Sequence, residues 1–193
     1  ETLPASLTIM GGGPIGIELA QAMNRLGVAV TVIEMAPSIL IREEAELSAM
    51  LAGILKREGV TLLTGAKVLS VENPEKPTVV YEKDGKSEKT SAAALLIAAG
   101  RKPNTEGLGL ETIGLNHDRR GIAVDNYMRT SIKTIYAAGD VVGPYQFSHV
   151  ANYQAIAATS NALLPIRRSV NYGAVPWCTF TDPELARSGL TEA

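Results

Sequence analysis

The sequence predicts an α/β fold in which a parallel sheet alternates with helices and carries an inserted antiparallel meander. Up to residue 63, short apolar runs rich in β-branched residues alternate with stretches of helical periodicity, the order expected of a parallel sheet. Between residues 67 and 90 the runs are shorter and polar, and turn sequences separate them, which predicts antiparallel strands. A glycine cluster joins the first apolar run to the first helical stretch.

The elements of this first part follow in order. We expect parallel strands at 7–10, 29–34, 60–63 and 94–98, and helices at 14–26 and 43–58. Gly27 and Gly59 follow the two helices, as glycine commonly does at helix C-termini. Apolar residues recur along the second helix, and we expect all of them in the core: Leu47, Met50, Leu51, Ile54 and Leu55. The meander strands are expected at 67–72, 78–83 and 87–90, with Asp84-Gly85 as a hairpin turn.

The pattern is less regular after Gly100. We expect a short helix at 107–113, short strands at 122–124, 134–138 and 174–180, and a helix at 149–163. One face of that last helix is predicted to be lined by Val150, Tyr153, Ala157 and Leu163.

Composition excludes several classes of function. The net charge is −2 and the pI is about 5.8, so there is no electrostatic case for binding nucleic acid or an anionic membrane. We expect no membrane segment, no signal peptide and no metal site. The single cysteine, Cys178, favours a reducing, cytoplasmic location and is interpreted as a packed thiol. Because the chain opens on Glu1 without methionine, we expect it to be a piece of a longer protein.

The glycine cluster has the spacing G-x-G-x-x-G, formed by Gly11, Gly13 and Gly16 between a strand and a helix. Gly11 permits the sharp turn, Gly13 lets a pyrophosphate approach the backbone, and Gly16 lets the helix pack close to the sheet. Pro14 suits the first helical position, and the N–H groups of the first turn, including that of Ile15, would face the phosphates. The sequence therefore predicts a Rossmann-like dinucleotide-binding domain.

Glu34 ends the second predicted strand. An acid at that place accepts the hydroxyls of the adenosine ribose and repels a 2′-phosphate. No cation follows before Arg42, so NAD(H) is favoured over NADP(H). The alternative is that Glu34 is simply a solvated strand end.

Three blocks of sequence together carry a family resemblance. They are GGGPIGIELA with VTVIE (11–20 and 30–34), IAAGRKPN with TSIKTIYAAGD (97–104 and 130–140), and VPWCTFTDPELARSGLTEA (175–193). Over essentially its whole length the chain resembles the pyridine nucleotide-disulfide oxidoreductases, flavoproteins that include dihydrolipoamide dehydrogenase, glutathione reductase and mercuric reductase. YQFSHVANYQ (145–154) looks most like the mercuric-reductase-like branch.

The resemblance implies a domain order. Residues 1–105 would be the NAD(P)-binding domain, 106–170 the second half of an FAD-binding domain, and 171–193 the start of a dimerisation domain. The first FAD half and the redox cysteine pair would precede Glu1, and a His–Glu pair would follow Ala193, in a homodimeric full-length protein. We expect 106–193 to be less protected from hydrogen exchange than 7–100, or to be rescued by self-association, because half of an FAD domain lacks partner strands.

The resemblance also implies FAD contacts. Gly139 and Asp140 match the segment that hydrogen-bonds the flavin side of FAD at the ribitol, although a turn-capping aspartate is the alternative. Four residues match the segment under the flavin pyrimidine edge: Gln146, Phe147, Ser148 and His149. The helix N-terminus there would stabilise negative charge on the flavin, with His149 acting through its backbone.

The remaining implied contacts concern NAD. Glu18 matches an acid near the nicotinamide and flavin, and is the tentative catalytic residue; the alternative is an exposed first-turn helix acid. Arg101 matches a residue near the adenine side or the domain junction, with a structural salt bridge as the alternative, and Gly100 precedes it at the carboxyl edge of the sheet, where ligands bind. Val68 would edge the adenine pocket. Pro14 departs from the bulky aromatic that many members carry as a lid, which puts gating by this residue in doubt.

The predicted function is part of an FAD-dependent oxidoreductase that passes hydride from NAD(P)H to flavin and then to a disulfide or similar acceptor. A stand-alone NAD(H)-binding module without catalysis is the rival from another class, and a structural fragment with empty sites is a third. The block ending in Asp140 argues against the stand-alone NAD(H)-binding module, because a protein that only senses NAD(H) has no use for half an FAD site.

Overall fold

The computed structural model describes residues 2–143 and 145–189, which fall into two compact units. Unit 1 contains the described residues up to Gly100 together with Cys178–Ala186, and unit 2 contains the described residues of Arg101–Trp177 and 187–189. The residues outside this description are Glu1, Pro144 and 190–193. The last four of them end the predicted dimerisation segment. The domain bounds predicted at 105 and 170 stay predictions. None of the helices described is long and apolar enough to cross a membrane.

Unit 1 is built on four parallel strands in the order β3-β2-β1-β7. Their bounds are Ser6–Met10 (β1), Ala29–Glu34 (β2), Thr61–Thr64 (β3) and Ala94–Ile97 (β7). Ile9 at the centre of β1 pairs with Val32 of β2 and Leu96 of β7. The helices are Pro14–Arg25 (α1) and Ala45–Glu58 (α2), so the predicted alternation of strands and helices is confirmed.

The core of unit 1 joins apolar side chains of the sheet to one face of each helix, including Ile9, Ile17 and Leu55. The prediction that the whole apolar stripe of α2 is buried was wrong, because Leu47 is 43% and Met50 60% exposed. The sheet covers only the narrower face of α2 that carries Leu51 and Leu55, and these flanking side chains project beyond it.

The inserted meander is confirmed as Lys67–Glu72 (β4), Thr78–Lys83 (β5) and Lys86–Ser91 (β6), paired antiparallel in that order. The Asp84-Gly85 turn has positive φ at both residues, 51° and 72°, which suits a tight hairpin. Only the central strand is well buried, since Val79 and Tyr81 pack in a second small cluster of unit 1.

Unit 2 has little regular structure apart from one long helix, Ser148–Leu163 (α3). The strands His117–Asp118 (β8) and Gly121–Ile122 (β9) pair with each other. Two 3₁₀-helices span Leu110–Ile113 and Asp140–Val142. The last strands of the chain, Trp177–Thr179 (β10) and Leu185–Arg187 (β11), lie mostly in unit 1 and form a two-stranded sheet.

One predicted strand of unit 2 was wrong. No strand forms at 134–138, where the described residues provide only an isolated bridge between Arg129 and Tyr136, because a strand needs a neighbouring strand to pair with. Leu163 is 77% exposed although Val150 and Ala157 of the same helix are buried, since the last turn of α3 extends past the apolar cluster.

Candidate functional site

The turn between β1 and α1 is closely packed at two of its three fingerprint glycines. Gly11 has a φ of 115°, and a Cβ added there would collide with the carbonyl oxygen of Ala98. A Cβ at Gly16 would collide with the carbonyl oxygen of Gly11. A Cβ at Gly13, in contrast, meets nothing within 4 Å, so the backbone there faces open space. This is the arrangement that a pyrophosphate approaching Gly13 requires.

The N-terminus of α1 presents free donors beside that open face. Pro14 is the first helical residue, and the first intrahelical bond runs from the Ile17 N–H to the Gly13 carbonyl at 3.0 Å. The N–H groups of Gly13, Ile15 and Gly16 therefore have no acceptor within the helix. Together with the positive end of the helix dipole, they can hold a phosphate anion.

Glu34 lies beside the glycine turn with its carboxylate fixed by the backbone. The N–H of Gly12 donates to Oε2 at 2.6 Å, and the N–H of Ala36 donates to Oε1 at 2.7 Å. The side chain is half-buried rather than a freely solvated strand end. Each carboxylate oxygen keeps a lone pair for a further donor, which is what two ribose hydroxyls would supply.

Two other residues predicted to contact NAD occupy the same unit. Val68 is half-buried and packs with the meander cluster, next to the Ala66 N–H that donates to the Glu34 carbonyl at 2.9 Å. Gly100 follows β7 with a φ of 124° and is exposed. Their contacts with a nucleotide stay predictions.

Glu18 is the fifth residue of α1 and is half-buried. The alternative of an exposed first-turn acid was therefore wrong, because α1 has no acid in its first turn. Glu18 Oε1 accepts a hydrogen bond from the Phe180 N–H at 2.8 Å. A catalytic role for Glu18 stays a prediction.

One side of α1 carries a polar network that the neighbouring sequence does not predict. Gln21 is 3% exposed, donates to the Asp182 carbonyl at 2.9 Å and accepts from the Asp182 N–H at 2.7 Å. Arg25 bridges Asp182 at 2.8 Å and Glu58 at 2.6 Å. The hydrogen bond from Arg25 lowers the pKa of the Glu58 carboxyl. The network was missed because Gln21 and Asp182 lie 161 residues apart in the chain.

The Cys178 thiol is half-buried, in agreement with its interpretation as a packed thiol. Burial, followed by the charges of Glu184 and Glu18, raises its pKa, so the thiol stays protonated and unreactive at neutral pH. The described part of the chain holds no cluster of three or more His, Cys, Asp or Glu side chains able to bind a metal ion.

In unit 2, Arg101 joins two residues that were predicted for FAD rather than for NAD. Its guanidinium lies 3.2 Å from Asp140 Oδ2 and donates to the Gln146 carbonyl at 3.0 Å. The ion pair with Asp140 corresponds to the structural salt bridge that was the alternative interpretation of Arg101. Asp140 opens a 3₁₀-helix after Gly139, whose φ is 84°, and its carboxylate is 42% exposed.

The N-terminus of α3 is open to a ligand. The helix begins at Ser148, one residue before its predicted start, and Phe147 at the N-cap makes no side-chain capping bond. The first intrahelical bond runs from the Ala151 N–H to the Phe147 carbonyl, so the N–H groups of 148–150 have no acceptor within the helix. His149 Nε2 lies 2.7 Å from the Pro176 carbonyl oxygen, which engages the ring and leaves the backbone as the available donor.

Gln154 is a second buried glutamine that sequence reasoning missed. It is fully buried, and its Oε1 accepts from the Gly139 N–H at 2.7 Å. Its Nε2 donates to the Tyr172 hydroxyl at 2.8 Å. Gln154 therefore fixes the turn that precedes Asp140.

Comparison with known proteins identifies the family of this chain. The family described as pyridine nucleotide-disulphide oxidoreductase matches residues 1–157. The dihydrolipoyl dehydrogenase of Rhizobium etli is 38% identical over 196 residues, covering 100% of this chain and 41% of the relative. That of Geobacillus stearothermophilus is 40% identical, covering 98% of this chain and 41% of the relative. The chain thus spans about two fifths of the length of these relatives.

Solved structures with a similar fold come from the same kind of protein. The HOCl-induced flavoprotein disulfide reductase RclA from Escherichia coli, as its Cu(II) complex, superposes with a TM-score of 0.89 at 32% identity over 100% of this chain and 44% of that one. LpdA from Mycobacterium tuberculosis superposes with a TM-score of 0.88 at 32% identity over 98% of this chain and 41% of that one.

Proposed function

Because this chain belongs to the pyridine nucleotide-disulphide oxidoreductase family, we propose that unit 1 binds NAD(H) and that unit 2 supplies part of an FAD site. The whole protein would be an oxidoreductase that takes hydride from NAD(P)H. The observation that carries the proposal is the glycine turn of unit 1, open at Gly13 and flanked by the fixed carboxylate of Glu34. When bound, nicotinamide and flavin supply the two-electron hydride chemistry.

The residues of unit 1 bind and orient the nucleotide. The N–H groups of Gly13, Ile15 and Gly16 would hold the pyrophosphate, and Glu34 would accept the hydroxyls of the adenosine ribose. The negative charge of Glu34 disfavours a 2′-phosphate, which makes NAD(H) the preferred nucleotide. Val68, Gly100 and Glu18 are proposed to line the adenine and nicotinamide ends.

The residues of unit 2 would hold the flavin end of FAD. Asp140 is proposed to accept from the ribitol, with Arg101 fixing its carboxylate and Gln154 fixing the preceding turn. The open N–H groups at the start of α3, from Ser148 onward, would stabilise negative charge on the flavin pyrimidine.

The remaining proposals concern the electron acceptor, location and oligomeric state of the whole protein. A disulfide or a similar small molecule is the proposed electron acceptor, supported by relatives named dihydrolipoyl dehydrogenase and disulfide reductase. We place the full-length protein in the cytoplasm as a homodimer. Neither nucleic acid nor a membrane is a proposed partner.

Titration with NADH tests the proposal, with Gly13→Val as the decisive variant. Gly13 has an ordinary φ of −77° and open space around its Cβ position, so valine should leave the fold intact and block the pyrophosphate. The dissociation constant for NADH should rise at least about tenfold, which is 1.4 kcal/mol. Gly53→Val on α2 is the matched control and should bind NADH like the wild type. Equal affinities of wild type and Gly13→Val, or no binding by the wild type, would refute the proposal.

Nucleotide preference is tested by Glu34→Arg. Arginine removes the acceptor for the ribose hydroxyls and supplies a cation for a 2′-phosphate, so preference should move from NADH toward NADPH by about tenfold or more. Unchanged affinities for both nucleotides would remove Glu34 from the ribose site.

A further inference from the structure

One face of α1 holds a distant segment of the chain against it. Pro14, Glu18, Gln21 and Arg25 are spaced by four, three and four residues, which aligns them along one side of the helix. Glu18 accepts from the Phe180 N–H, while Gln21 and Arg25 both bond to Asp182. Residues 182 to 180 therefore run along this face toward the N-terminus of α1.

The backbone at Phe180 is fixed, but its ring is uncovered. Gln21 bonds both the N–H and the carbonyl of Asp182, and Leu185 is buried in the main core cluster of unit 1. The Phe180 side chain is 71% exposed. A single exposed aromatic ring is common on protein surfaces, so a role in binding has to be argued from the site next to it.

The neighbouring site is the one that would bind the pyrophosphate. Pro14 precedes Glu18 by four residues, about 6 Å along the helix axis, so the Phe180 backbone that is bonded to Glu18 lies about one helical turn from the pyrophosphate site. Pro14 is exposed and carries no large side chain that would fill the space. Both rings of a dinucleotide are attached through the pyrophosphate. Since the adenosine end is assigned to Glu34, the nicotinamide is the ring left for Phe180.

We infer that Phe180 packs against the nicotinamide ring of the bound nucleotide and distinguishes nucleotides that carry this ring from those that do not. The inference rests on the proposed function, because it needs the pyrophosphate at the N-terminus of α1. Two flat rings in contact exclude water from the nicotinamide and gain packing beyond area burial. Aromatic pairs of this kind correspond to an affinity difference of about 3- to 10-fold.

The test compares two ligands that differ only at the nicotinamide. NADH and ADP-ribose are titrated into the wild-type chain, Phe180→Ala and Phe180→Tyr, with thermal unfolding as a check on the fold. Phe180→Ala should weaken NADH binding about 3- to 10-fold and leave ADP-ribose unchanged, whereas Phe180→Tyr keeps the ring and binds both like the wild type. Leu26→Ala, which removes a 62% exposed side chain next to α1, is the control and should change neither affinity.

The other outcomes overturn the inference in distinguishable ways. Equal weakening of NADH and ADP-ribose by Phe180→Ala would assign Phe180 to the adenosine or phosphate part, and unchanged affinities would remove it from the site. A wild-type chain that binds neither ligand refutes the proposed function, and the inference falls with it.

Discussion

In unit 1 every strand of the parallel sheet pairs with a neighbour from the same unit, whereas the two-residue strands β8 and β9 of unit 2 pair only with each other. Unit 1 buries one large apolar cluster beneath its helices, and unit 2 divides its buried residues between two small ones. The difference teaches that a sequence block predicted to bind a cofactor, such as the one ending at Asp140, can lie where regular secondary structure is sparse.

The largest expected difference between the units is in their cores. Leu55→Ala removes a fully buried side chain from the main cluster of unit 1 and should cost about 2–5 kcal/mol of its stability. Ile122→Ala in unit 2 should cost less, about 1–3 kcal/mol, because most of the apolar side chains in its cluster are only half-buried and can close around the space. Hydrogen exchange followed separately in the two units measures both losses. Equal losses would contradict the comparison.

Two glycines with nearly equal φ angles, one in each unit, provide a matched pair of variants. Gly11 and Gly121 have φ values of 115° and 119°, and a Cβ at either would collide with a carbonyl oxygen of its own unit. Each alanine variant should destabilise its unit by about 2–4 kcal/mol. Only Gly11→Ala should also abolish NADH binding. Loss of NADH binding in Gly121→Ala would mean that the site depends on unit 2.

The buried glutamines sharpen the comparison further. Gln154→Leu leaves the Gly139 N–H without its acceptor and should destabilise unit 2 by about 1–3 kcal/mol. NADH affinity should not change, because Gln154 bonds to Gly139 and Tyr172, which both belong to unit 2. Gln21→Leu is the corresponding variant of unit 1 and should release residues 180–182 to faster exchange. Unaltered exchange around Gly139 in Gln154→Leu would contradict this account.

The smallest expected effect is on pH dependence. The pKa of Glu58 is lower in the folded chain than its ordinary value of 4.5, because Arg25 donates to it. Its stabilising contribution is therefore present above about pH 4.5 and is lost as the pH falls through the folded pKa. Glu58→Gln should lower the Tm of unit 1 by about 1–2 °C at pH 7, since the pair is partly exposed, and by less at pH 3. A difference that grows on acidification would contradict the sign.

Local patterns were sufficient where each element finds its partners nearby in the sequence. The bounds of β2, β4 and β5 agree with their predictions, since alternation and turn residues define them and a strand of the same unit lies alongside. The glycine turn and Glu34 were also predicted, because the spacing of the fingerprint fixes their geometry.

The remaining features depend on contacts that no local pattern contains. Gln21 and Gln154 resemble surface residues in the sequence, and their burial follows only from Asp182 and Gly139 being brought to them. Periodicity also does not show how much of a helix face its neighbours cover, which is why Leu47 and Met50 were placed in the core and are exposed.

The most direct test of the central claim is hydrogen exchange of the whole chain with and without NADH. If unit 1 alone contains the NAD(H) site, NADH should slow exchange at Gly13, Ile15 and Gly16, whose N–H groups would gain the phosphates as acceptors, and should leave 106–170 unchanged. Slowing confined to unit 2, or no slowing between residues 12 and 17 at saturating NADH, would contradict the account.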